Sequence, residues 1–152
     1  MPHKNHYLLN NSLVNDFLSD HAIQIYLTIS ESDMTFPSSN IVLLGRLSHE
    51  SCLHYLEISS ALLFMSSFES LGLPLIEAAQ LEKPCICPDL PYSRELLGDS
   101  PYYFRDMNVI SLISTIKNFT DEYSSPRSCI LISSPISIDC AWNRFISLPR
   151  HD

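Results

Sequence analysis

Basic residues are scarce in this chain of 152: Lys and Arg number 9 against 17 Asp and Glu, a net charge of −8. That balance argues against a phosphate backbone as the partner of its surface, so nucleic acid is not an expected ligand. The five cysteines, at 52, 85, 87, 129 and 140, are odd in number and form no Cys-x-x-Cys. Neither a zinc knuckle nor a disulfide framework is indicated, and a reducing compartment is expected. The six histidines are scattered; His49 and His54, five apart, do not share a helix face. They read as surface or satisfied core residues, and no metal ligands are expected. The opening MPHKNHYLLNN lacks the apolar stretch of a signal peptide, and no run approaches the ~20 apolar residues of a membrane span. A cytoplasmic protein is expected.

What is present is a core. Apolar residues make up 45% of the chain and charged ones 17%, far from the signature of disorder. The length fits one domain. Leu9, Leu13 and Phe17, with Val14 and Leu18 beside them, form one apolar stripe and predict a helix over 6–18. The runs at 23–30 and 41–45 predict strands joined by a Ser, Asp and Pro cluster, and Ser48 caps a helix predicted over 48–59. ALLFMSS (61–67) reads as a strand buried on both faces. A helix opening at Pro74, a strand at 84–88, a short helix closed by Gly98, a strand at 101–104 and a helix from Asp106 to about Asp121 follow. Such alternation implies a parallel sheet covered on both faces, a doubly wound, Rossmann-like α/β fold. Domain organisation follows from it: an α/β domain over 1–123, a Ser- and Pro-rich loop or linker over 124–136, and a C-terminal helical segment over 137–152. No internal repeat is present.

In an open parallel sheet the ligand lies beyond the carboxyl ends of the strands, so the residues after each apolar run carry the information. After ALLFMSS the chain reads Phe68-Glu69-Ser70-Leu71-Gly72-Leu73-Pro74-Leu75-Ile76-Glu77-Ala78. Gly72 frees the backbone, Pro74 suits the start of a helix, and the amides of residues 70–73 point out of a helix N-terminus, an anion site suited to a diphosphate. Glu69 precedes that site and Glu77 lies a turn into the helix, where carboxylates can accept hydrogen bonds from sugar hydroxyls. Taken singly, a Glu on a helix is usually solvated and a Gly-x-Pro is usually a turn.

The run as a whole resembles the Glu-x7-Glu signature of family-4 glycosyltransferases, which usually reads Glu-Gly-Phe-Gly-Leu-Pro-x-Leu-Glu-Ala. Gly45-Arg46-Leu47-Ser48, Lys83-Pro84, Asp89-Leu90-Pro91-Tyr92-Ser93-Arg94-Glu95 and Gly98-Asp99 resemble the same family in the same order. Trp142 sits where such chains often carry a Trp in the closing helix. Pro2-His3-Lys4-Asn5 resembles the element whose lysine holds the donor diphosphate. The resemblance covers residues 1 to about 120, and is densest from 40 to 104.

The resemblance implies the C-terminal, donor-binding half of a GT-B fold, and a sugar transfer from a nucleotide diphosphate donor with retention and without metal or other cofactor. It assigns Glu77 to the ribose hydroxyls and Glu69 to the transferred sugar. Ser70, Leu71, Gly72 and Leu73 supply backbone donors, Lys4 neutralises the leaving diphosphate, and the main chain around Arg46 reads the base. Ser70 and Leu71 depart from the usual Gly and Phe. In the family an acceptor domain and then the sheet's first strand, with its phosphate-binding arginine, precede the element that starts at Pro2; the sheet is expected to lack that strand, so two interior sheet edges are expected to be unpaired. The function expected is hexosyl transfer in polysaccharide or lipopolysaccharide biosynthesis, inactive in the isolated chain. The partners expected are a nucleotide sugar and either a separate N-terminal acceptor domain or a second copy, with membrane contact, peripheral to the inner face, only through that other domain. The competing readings are a catalytically inactive truncated remnant and a nucleotide-binding interaction module, which does not need the second glutamate. Base, sugar and acceptor are not legible.

Overall fold

A computed structural model describes residues 4–30, 36, 38–123 and 130–133, the last four as backbone. Pro2, His3, Trp142 and the segment over 137–152 lie outside the described residues.

The strands are β1 (Gln24–Leu27), β2 (Ile41–Leu43), β3 (Ala61–Leu63), β4 (Cys85–Pro88), β5 (Tyr102–Phe104) and β6 (Ile130–Ser133). They form one sheet in the order β2-β1-β6-β3-β4-β5. Every pairing is parallel. Between them run α1 (Ser12–Asp20), α2 (His49–Ile58), α3 (Leu73–Gln80), α4 (Pro91–Leu97) and α5 (Val109–Glu122). This is the doubly wound α/β architecture that strand and helix alternation dictates.

Side-chain alternation divides the core into two layers. Ile25, Leu27, Ala61, Leu63 and Ile86 point to one face, where they meet Val14, Phe17 and Leu18 of α1 and Leu112, Ile116 and Phe119 of α5. Leu62, Phe64, Cys85 and Cys87 point to the other, against Leu56 of α2 and Leu75 and Ala78 of α3. Successive strand residues face opposite ways, so a run such as ALLF must be apolar throughout to serve both layers. Burial of this order, at roughly 25 cal/mol per Å² of apolar surface, is what drives the sheet and helices together.

The structure revises the sequence reading in two places. The stripe assigned to one helix over 6–18 is divided: a 3-10 turn covers His6–Asn10, and α1 starts at Ser12, with the Asn11 side chain accepting a hydrogen bond from the Leu13 amide. Leu13, expected in the apolar stripe, is 53% exposed. The Asn10-Asn11 pair favours a cap over helix continuation, which turns the register of the stripe.

The second revision concerns the centre of the sheet. Residues 130–133, expected in a loop or linker, form β6, which pairs with β1 from Gln24↔Ile130 to Leu27↔Ser133 and with β3 at Ala61↔Leu131 and Leu62↔Ile132. The two interior edges expected to be unpaired therefore face a strand of the same chain. Buried backbone groups demand partners, and a short Ile-Leu-Ile run can supply them on both sides. With β6 in the place of the first strand, the order matches the 3-2-1-4-5-6 arrangement of a doubly wound sheet.

Candidate functional site

The segment after β3 leaves the sheet at its carboxyl end and turns into α3. Gly72 is the N-cap of that helix, at φ 56° and ψ 36°, with Pro74 in the first turn. The Gly72 carbonyl accepts from the amides of Leu75 at 2.9 Å and Ile76 at 3.3 Å. Among the described residues, the backbone hydrogen bonds of this turn use none of the amides of Ser70, Leu71, Gly72 or Leu73 as donors. Unsatisfied amides at a helix start carry partial positive charge and suit an anion. Ser70 and Leu71 are exposed, Leu73 is half-buried and Gly72 is buried. An added Cβ on Gly72 meets Leu96 Cδ1 at 2.5 Å, which that flexible side chain must move to relieve, so glycine is favoured there chiefly by the left-handed backbone.

Lys4 and Glu69, 65 positions apart in the chain, meet: Nζ lies 3.6 Å from Oε1, with both side chains largely covered. The neighbour of each residue explains how. Asn5, buried and at φ 50°, donates through Nδ2 to Ser67 Oγ and, at 3.3 Å, to Asp106 Oδ1. Ser67 Oγ in turn donates to Asp106 at 2.8 Å. Asparagine tolerates the left-handed conformation better than most residues. This network ties the Lys4 segment to the loop that carries Glu69 and to the loop after β5. Tyr92 of α4 donates its hydroxyl to the Ser66 carbonyl in the same region. Burial above all raises the Tyr92 pKa, with Glu69 and Asp106 among the further contributors, so the phenol is a neutral donor.

Glu77 has a partner of its own. Its Oε1 accepts from Nε2 of His49, the first residue of α2, at 2.6 Å. Its Oε2 is buried and has no hydrogen-bond partner among the described residues. Arg46, in the loop before α2, is exposed. That loop is anchored to the end of β1 by Leu44 N donating to the Leu27 carbonyl at 2.8 Å and Gly45 N to the Ile29 carbonyl at 3.0 Å.

The structure thus brings Lys4 to Glu69 and gives Glu77 a histidine partner. Asn5, Ser67, Asp106, Tyr92 and His49 are the residues that the sequence reading did not assign to the site. Asn5 lies within the quoted Pro-His-Lys-Asn element, so position alone could have flagged it. His49, 28 positions from Glu77, carries no such signal.

Among the described residues, no group of three or more His, Cys, Asp or Glu could hold a metal ion, and no helix is long and apolar enough to cross a membrane.

The family model described as "Glycosyl transferases group 1" matches residues 8–130. One similar curated protein is the "Serotype-specific mannosyltransferase WbdA" of Escherichia coli, 36% identical over 73 residues, which cover 46% of this chain and 9% of that protein. A second protein of the same name and organism is 48% identical over 46 residues, covering 30% of this chain and 6% of its own length. The chain spans less than a tenth of the length of these relatives. No solved structure is a significant match. The family match spans β1 to β5, α1 to α5 and the Glu69–Glu77 segment and reaches the first residue of β6, and on it the chain belongs to the group 1 glycosyl transferases.

Proposed function

We propose that this domain binds the nucleotide diphosphate sugar of a retaining, family-4, GT-B glycosyltransferase that acts in surface polysaccharide or lipopolysaccharide synthesis. The observation that carries the reading is a pair of largely covered carboxylates, Glu69 and Glu77, in the one segment that forms an open helix N-terminus. Glu69 is joined to a lysine, and Glu77 has one oxygen in want of a donor. A nucleotide sugar supplies what each part needs: phosphate for the amides of 70–73 and for Lys4, ribose hydroxyls for Glu77, and sugar hydroxyls for Glu69. The main chain at Arg46 is the edge left for the base, because the amides of Leu44 and Gly45 are already taken by the carbonyls of Leu27 and Ile29. An interaction module that bound only phosphate would not need two covered carboxylates. The name of the relatives makes mannose the first sugar to test.

The chemistry that follows breaks the bond from the anomeric carbon to the β-phosphate oxygen and forms a bond to the acceptor oxygen on the same face of the ring. The acceptor's proton passes to the departing phosphate. Charge grows on that phosphate, and preorganised amides and the Lys4 ammonium stabilise it there. No metal enters this scheme. The acceptor is held by a second domain across the crevice, and positioning of that kind supplies on the order of 7–11 kcal/mol of the barrier reduction.

The test is to incubate the 152-residue chain with GDP-mannose, UDP-glucose and other nucleotide sugars, in chelator, with lipid and glycan acceptors, and with or without a co-expressed acceptor domain. Donor binding by the lone chain, with transfer only when the second domain is present, is expected. An absence of binding to every nucleotide sugar would remove the reading.

A further inference from the structure

We infer that His49 is a positioning residue for nucleotide recognition: it fixes one oxygen of Glu77 so that the other is presented to a ribose hydroxyl. This rests on the reading of Glu77 as the ribose acceptor and extends it to a residue that the family signature does not contain.

A carboxylate has two equivalent oxygens and turns freely about its terminal bond unless something distinguishes them. Here something does. The His49 Nε2–H donates to Oε1 at 2.6 Å, a short contact of the charge-assisted kind, while Oε2 is buried with no partner among the described residues. An unsatisfied buried acceptor is costly, and the natural relief is a donor from a ligand. A hydroxyl is such a donor; a phosphate, which accepts, is not.

The position of His49 gives the contact a second consequence. His49 opens α2 immediately after the loop that holds Gly45 and Arg46, and Glu77 lies within α3. Their hydrogen bond is therefore a tie between the loop assigned to the base and the helix assigned to ribose and phosphate. Base and ribose are linked rigidly in a nucleoside, so a site for both gains by having its two halves fixed in register before the ligand arrives. The structural alternative is that His49 merely satisfies a covered glutamate and joins two helices. The two roles differ in what they do to hydroxyl discrimination.

The experiment is calorimetric titration of the wild-type chain, His49→Ala and His49→Gln with GDP and UDP and with their 2′,3′-dideoxy counterparts, after a thermal melt has established that each variant folds. In the wild type the dideoxy ligands should bind on the order of tenfold or more weakly, the loss expected for one hydrogen bond to a charged acceptor. His49→Ala should lose a similar factor for the ribonucleotides and little for the dideoxy ligands, so that discrimination collapses. His49→Gln, whose side-chain amide can donate to Oε1, should restore part of it. Undiminished discrimination in His49→Ala would overturn the inference while leaving Glu77 as the ribose acceptor. Tighter ribonucleotide binding in His49→Ala would overturn it too, since His49 would then occupy the place of the hydroxyl. A wild type that binds ribo and dideoxy ligands equally, or binds neither, would overturn both the inference and the reading beneath it.

Discussion

Lys4 Nζ and Glu69 Oε1 lie 3.6 Å apart across 65 positions of sequence, held there by Asn5, Ser67 and Asp106. An ion pair with this spacing and partial cover contributes only ~0–1 kcal/mol to folding. Under the proposed function the pair is a prepared site, in which the lysine rests on a carboxylate until a diphosphate offers it more charge. Lys4→Ala is therefore expected to leave the melting temperature almost unchanged and to weaken nucleoside diphosphate binding about tenfold or more, as loss of a charge-assisted contact implies. Calorimetry and a melt on the same samples check it. A large stability loss without a binding loss would reassign the pair to structure.

Gly72 governs the entry to α3. Gly72→Ala must place a Cβ at φ 56° and against Leu96 Cδ1. The backbone part costs about 1–2 kcal/mol. The contact is with the end of a flexible, partly exposed leucine and is the cheaper part to relieve. Leu96→Ala in the Gly72→Ala background should thus recover only a fraction of the lost stability, as read by urea unfolding. Full recovery would mean that the left-handed backbone is not retained.

His6 sets an acid limit. Burial, with the Lys4 charge beside it, lowers its pKa from 6.5 to about 4. The unfolded chain takes up this proton near pH 6.5 and the folded chain only near pH 4, so the contribution is fully present above pH 6.5 and is lost as pH falls between those values. The shift corresponds to a few kcal/mol, on the order of 3. Urea unfolding from pH 7.5 to 4 should show the wild type losing stability through that window and His6→Gln losing distinctly less. Parallel curves would show that His6 is not the group responsible.

Much of the fold was legible because a parallel sheet between two helical layers leaves a strong pattern: ALLF and CICP must be apolar at every position, and they are. The Gly72-Leu73-Pro74 start of α3 was equally plain, since turn and helix rules act locally. The break at Asn10-Asn11 was not, because the spacing of Leu9, Leu13 and Phe17 fits one helix well and the capping preference of a single Asn is worth only ~1 kcal/mol. β6 was hidden by the Ser and Pro residues on both sides of Ile-Leu-Ile. Its strand character comes from two unpaired edges far away in sequence, which no local window contains. The same limit applies to the site. Glu69 and Glu77 stand in one signature, but His49 and Asp106 reach it only through the topology.

The centre of the sheet carries its own prediction. β6 is paired on both sides by residues of β1 and β3, so a proline there removes a ladder hydrogen bond that has no solvent substitute. Ile132→Pro is expected to cost about 3 kcal/mol or more, or to abolish cooperative unfolding, in a circular dichroism melt. An unchanged melt would place residues 130–133 outside the sheet.

The most direct test of the account is the response of two ligands to two substitutions. Glu77 is assigned to ribose, which a nucleoside diphosphate and a nucleotide sugar share; Glu69 is assigned to the sugar, which only the second ligand has. Titration of the wild type, Glu77→Ala and Glu69→Ala with GDP and GDP-mannose, and with UDP and UDP-glucose, separates the roles. Each lost hydrogen bond to a carboxylate is worth roughly 1.5–3 kcal/mol. The account predicts that Glu77→Ala weakens both members of the pair that binds, and that Glu69→Ala weakens the nucleotide sugar while the diphosphate binds as before. Equal losses of both ligands in both variants would contradict it.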